Sequence, residues 1–147
     1  MTQLPKELRQ LINSYLSENE LLKFIIDIYL VTTLRNEEWD ARKFLVGKIN
    51  SLLHQHGLKS QILTVHENRK GVYRFVQATE DLASRQLLQS LLDLTRNWVW
   101  CPNFMVERSN TILMQRGSDL RVIPIIRDPK LSTHDTDLRL VSIRQQY

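Results

Sequence analysis

Chain breakers are scarce in this sequence: 147 residues hold four glycines and four prolines. Such a chain does not make a loop-rich fold or two domains on a flexible tether. It must be built from regular elements that run long, with hydrophobic periodicity deciding which are helices. At this length one domain with a substantial core is expected. No periodic repeat is apparent.

The opening "LPKELRQLINSYL" reads as a helix, with Pro5 in the first turn and Leu4, Leu8, Leu11, Ile12 and Tyr15 at helical spacing. Ser17, with Glu20 three residues on, has the form of a capping box and would open a second helix, "ENELLKFIIDIYLVTTL". There Leu21, Leu22, Ile25, Ile28 and Tyr29 form one stripe, widened by Phe24 and Ile26. It is the most apolar helix of the chain and is expected at the core centre. Asn36 would cap the next, with Glu37, Glu38 and Asp40 in its first turn and His54 and His56 in its last, matching the helix dipole. Phe44, Leu45, Ile49, Leu52 and Leu53 are the expected buried stripe, and Trp39, Lys43 and Val46 the other side. Gly47 either breaks this stretch into two short helices or sits within one. Gly57 ends it.

Two strands follow, "KSQILTVHE" and "VYRFVQAT", joined by the turn "HENRKG", with Gly71 available for positive φ. Tyr73 and Phe75 share one face; Val72, Arg74 and Val76 share the other. Thr79 would cap a further helix carrying Leu82, Leu87, Leu91 and Leu94, which ends before Pro102. The tail alternates, so "NTILMQRG" and "DLRVIPIIRD" read as a second hairpin around Gly117, with Pro124 marking an edge strand. "LRLVSIR" would add a last strand. The class is α+β: a helical N-terminal half, a hairpin, a further helix and a C-terminal hairpin. The whole chain, 1–147, is expected to be a single domain.

Net charge is +4 and uneven. The first 36 residues balance, whereas residues 37–78 carry seven basic and four acidic groups. This permits nucleic-acid binding without requiring it. Cys101 is the sole cysteine and cannot form an internal disulfide, which fits a reducing, cytoplasmic compartment. The longest apolar run, "FIIDIYLV", is broken by Asp27 and too short to span a bilayer, so no membrane is expected.

The run from "INSLLHQHGLKSQILTV" through "GVYRFVQATEDLA" to "NWVW" resembles the winged-helix family. The likeness implies a recognition helix before "HGL", a wing made by the hairpin, a core over 19–101 and a C-terminal β extension over 102–147. It also implies that Arg42, Lys43 and Lys48 on the helix, with Arg69, Lys70 and Arg74 at the wing, meet phosphates. The family needs a turn before the recognition helix, and only Gly47 offers one. "LRQLINSYLSENELLKFIIDIYL" is similar in apolar spacing to helical adaptor modules of the death-fold type.

No catalytic set of acid, base and nucleophile can be assembled, so an enzyme is not expected, and neither is a cofactor. His54 and His56 do not share a helix face, so with His66 they make no metal site. "THDTD" reads as a polar loop and Cys101 as a small buried hydrophobe. Trp98, Trp100 and Phe104 concentrate aromatic surface. Such rings most often pack a core, and these are also candidates for a protein or homodimer interface or for stacking on unpaired bases. The arginines Arg116, Arg121 and Arg127 form a second basic candidate. Two functions result: a non-enzymatic nucleic-acid-binding module within a dimer or larger complex, or a protein-interaction adaptor subunit that docks on a larger enzyme or a defence or regulatory complex.

Overall fold

The computed structural model describes residues 5–35, 39–67, 70–94, 102–126 and 136–146. Among them the chain forms helices α1 (Lys6–Arg35) and α2 (Trp39–Gln55), a hairpin of β1 (Gln61–Glu67) and β2 (Lys70–Val76), helices α3 (Arg85–Asp93) and α4 (Pro102–Gln115), a second hairpin of β3 (Leu120–Ile126) and β4 (Thr136–Ser142), and a closing 3-10 turn. Both hairpins are antiparallel, with Ile62 opposite Phe75 and Val122 opposite Leu140. The α+β class holds.

Several boundaries differ from the sequence reading. α1 is one helix, because nothing between Lys6 and Arg35 breaks it. Ser17 is buried inside and bonds back to the Ser14 carbonyl at 2.8 Å instead of capping. α2 runs unbroken through Gly47, since Leu45, Val46, Ile49 and Leu53 are buried on both sides of it. That packing outweighs the roughly 1 kcal/mol that glycine costs within a helix. Apolar spacing puts Phe44 inside and Val46 outside; the structure has the reverse. Ser84, not Thr79, caps α3, its Oγ accepting from the Leu87 N–H at 3.1 Å, and Leu82 lies exposed in the preceding loop. α3 ends at Asp93, ahead of Pro102, and Pro102 itself begins α4. "NTILMQ" is the end of α4, so the second hairpin pairs "LRVIPII" with "TDLRLVS". Gly71 lies within β2, opposite His66.

The core joins Leu21, Leu22, Ile25, Ile26 and Tyr29 of α1 to Leu45, Ile49 and Leu53 of α2, Leu87, Leu88, Leu91 and Leu92 of α3, Met105 and Leu113 of α4, and Ile62, Leu120, Val122 and Leu138 of the strands. The Tyr29 hydroxyl donates to the Leu91 carbonyl, which gives this buried ring's one polar handle a partner. By contrast the first turns of α1 are left largely uncovered by the described residues: Leu8, Leu11, Ile12, Tyr15 and Leu16 stay substantially exposed.

The element order helix–helix–hairpin occurs twice, and the sequence repeats with it. Phe44, Val46, Asn50, Leu53, Gln55 and Gly57 return 60 positions later (117 − 57) as Phe104, Val106, Asn110, Leu113, Gln115 and Gly117. "LLKFIIDI" of α1 matches "LLQSLLDL" of α3 at a shift of 66 (87 − 21), and "YRFV" of β2 matches "LRLV" of β4 at a shift of 65 (139 − 74). The structure treats the copies alike. Asn50 donates Nδ2 to the Ile62 carbonyl at 3.0 Å and accepts its N–H at 2.7 Å; Asn110 does the same with Val122 at 2.9 and 2.7 Å. Gly57 and Gly117 stop their helices at φ of 72° and 68°. α1 packs on β2 of its own half and on α4 of the other, as α3 packs on β4 and on α2. The chain is therefore built of two similar halves, each first helix packing on the hairpin of its own half and on the second helix of the other.

Candidate nucleic-acid interface

The outer side of α2 is set by what its inner side buries. With Leu45, Val46, Ile49 and Leu53 inside, helical geometry turns Lys43, Phe44, Gly47, Lys48 and Ser51 to solvent. Phe44 is 61% exposed, and the Lys48 ammonium lies 5.4 Å from its ring centroid, within cation–π range. On the hairpin, Ile62, Tyr73 and Phe75 pack inward. Arg74, which faces Leu63 across the ladder, is exposed on the other side together with Leu63, Gln61 and Val76. The amide clamp of Asn50 on Ile62 fixes α2 to this hairpin.

Of the residues expected to meet phosphates, Lys43, Lys48 and Arg74 are thus exposed. Arg42 and Lys70 belong to α2 and β2, their side chains outside the described set; Arg69 lies outside the described residues altogether. Trp98, Trp100 and Cys101 also lie outside them. Phe104 is half exposed and meets Phe24 of α1 at 6.3 Å between ring centroids, tilted by 51°.

Two of the tail arginines are engaged within the fold. Arg116 pairs with Glu20, and Arg121 donates to the carbonyls of Ser118 and Leu120 at 2.7 and 2.6 Å. The third, Arg127, lies outside the described residues. Arg116 lines a polar cleft with Asn13 and Ser14 of α1 and with Ser118, Asp119 and Arg144. Elsewhere on α1, Glu18 sits nearly buried, 3.8 Å from the Arg85 guanidinium. Burial raises its pKa, Arg85 opposes the rise and Asp119 adds to it. Asp119 itself is held below the usual carboxylate value, chiefly by the Ser142 hydroxyl donating to it at 2.8 Å. These charges thus serve one another within the fold. His56 lies 3.1 Å from the Ser84 hydroxyl, and among the described residues no three His, Cys, Asp or Glu side chains gather as metal ligands would.

Sequence reasoning misses the pairing of Phe44 with Lys48, since apolar spacing assigns Phe44 to the interior. It also misses the repetition of that pair as Phe104 and Arg108. The repeated "F-x-V-x-[KR]-x-N" pattern is the available signal. Among the described residues no helix is long and apolar enough to cross a membrane. Compared with known proteins, the chain matches no family model, no curated protein and no solved structure.

Proposed function

We propose that the protein is a non-enzymatic nucleic-acid-binding module, acting as a subunit of a dimer or larger complex. The observation that carries this reading is the outer face of α2, where Lys43 and Lys48 flank an exposed aromatic ring. Arg74 on the outer face of the adjoining hairpin extends it. Lysines and arginines so placed neutralise phosphates whatever the base sequence. α2 runs unbroken and lacks the turn that the winged-helix family places before its recognition helix, so the reading rests on the surface chemistry of α2 and the hairpin and not on that resemblance. Titration of labelled DNA and RNA at low and near-physiological salt tests it: binding that weakens steeply with salt is expected, and no binding at low salt overturns it.

One observation favours an adaptor role instead. Leu8, Leu11, Ile12, Tyr15 and Leu16 form an exposed apolar stripe at i, i+3, i+4, i+7 and i+8 on the first turns of α1. Such a stripe suits a helix-in-groove contact with another protein. The two roles are compatible, because the stripe and the α2 face occupy different helices.

A further inference from the structure

The residues that agree between the two halves divide into those the fold requires and those it does not. Leu53 and Leu113 are buried, Asn50 and Asn110 clamp strands, and Gly57 and Gly117 adopt positive φ. Phe44 and Phe104 are not part of the core: 61% and 50% of their surfaces face solvent, and among the described residues Phe104 alone of the two touches another ring, Phe24. Each has a cation four residues on, Lys48 or Arg108, and a hydroxyl seven residues on, Ser51 or Thr111. Spacings of four and seven put all three on one helix face. The second set, with Glu107, borders a depression of about 220 Å³.

We propose that the protein carries two equivalent sites for single-stranded nucleic acid, one per half, in which Phe44 and Phe104 each stack an unpaired base while Lys48 and Arg108 hold the neighbouring phosphate. This rests on the nucleic-acid reading above and deepens it. An exposed phenylalanine beside a cation suits a base and its phosphate together, and the ring reaches a base only when that base is unpaired. The sites are equivalent in plan and unequal in strength. Where the first has Gly47 and Lys43, the second has Glu107 and Asn103, which leaves it less positive. Phe104 also leans on Phe24 of the first half, whereas the second-half position that matches Phe24, 66 residues on (90 − 24), is Ser90, and Phe44 is the more exposed of the two rings. The first site is therefore the tighter one.

The test is fluorescence anisotropy with labelled oligothymidylates of about 6 and about 30 nucleotides, lengths chosen around the span that one single-strand site covers. A duplex of the longer length is the control. The parent should prefer the long single strand to the short one, because a strand reaching both sites gains from their linkage, and to the duplex. Phe44→Leu and Phe104→Leu should each weaken long-strand binding about tenfold, within the range for removal of one stacked base, with Phe44→Leu the larger effect. Leucine preserves an apolar contact with Phe24, and melting temperatures of the variants confirm folding. Phe44→Trp and Phe104→Trp should retain binding. If both leucine variants bind as the parent does while Lys48→Ala and Arg108→Ala weaken binding, the phosphate reading stands and base stacking is overturned. Weakening confined to one phenylalanine overturns the duplication, and preference for the duplex overturns the single-strand assignment. If the parent binds none of these probes, this proposal and the nucleic-acid reading fall together.

Discussion

Asn50 grips Ile62 with both ends of its amide, donating to the carbonyl and accepting from the N–H of the same residue. The bond pair ties the last turns of α2 to the first strand of the hairpin, and Asn110 repeats it on Val122. Asn50→Ala should cost roughly 2 kcal/mol, because two partly buried backbone groups are left without a partner. Asn110→Ala should cost a similar amount, and the two effects should add, since the clamps share no partner. Denaturant titration of the single and double variants measures this.

The three glycines that lie within or just after helices should respond with opposite signs. A Cβ at Gly47, Gly57 or Gly117 would meet nothing within 4 Å, so space does not decide the outcome. Gly57 and Gly117 hold positive φ, and Gly57→Ala or Gly117→Ala should destabilise by about 1–2 kcal/mol. Gly47 lies inside α2, and Gly47→Ala should stabilise by about 1 kcal/mol. Thermal melts of the three variants separate these effects.

Ser109 is fully buried on α4, and its hydroxyl has no hydrogen-bond partner among the described residues. The matching position in the first half is the core residue Ile49. Ser109→Ala should therefore stabilise by about 1 kcal/mol, by removing an unsatisfied polar group. A fall in melting temperature would show that the hydroxyl has a partner after all.

Acid stability should reflect two opposed effects. The pKa of Glu18 is raised above 4.5, mainly by burial, so the native state holds this proton more tightly than the unfolded chain. Its contribution is therefore fullest in acid and is lost as pH rises from 4.5 through the folded pKa. Asp81 behaves oppositely. Burial alone would raise its pKa, but the Ser60 hydroxyl and the backbone N–H groups of Lys59, Ser60 and Ala78 outweigh that and hold it below 3.8. Its contribution is present above 3.8 and lost as pH falls through the folded value. Glu18→Gln should flatten the decline on the neutral side, and Asp81→Asn the decline on the acid side, when melting temperature is followed from about pH 3 to about pH 7.

Much of the fold can be read from local pattern. The stripe around Leu21, Ile25 and Tyr29 is the core centre because its period is clear. The unit of helix, Gly57 and hairpin follows from turn chemistry and alternation. Ser17 misleads because its side chain can cap or bond back within a helix, and only burial decides between them. "NTILMQRG" misleads because a short apolar run does not separate strand from helix; its match to "NSLLHQHG" does so. That repeat is hidden by its spacing, which shifts from 66 in the first helices to 60 in the second and 65 in the closing strands. Lys43 and Lys48 are legible as basic positions. Phe44 is not, because its neighbours on the helix make it look like core.

The salt dependence of binding tests the proposed function most directly. Replacing Lys43, Lys48 and Arg74 with alanine should lower affinity about equally across sequences. It should also reduce the slope of log K against log salt by about 0.7–0.9 for each phosphate no longer neutralised. A variant that keeps the parent's affinity and slope would place the binding surface elsewhere and contradict the account.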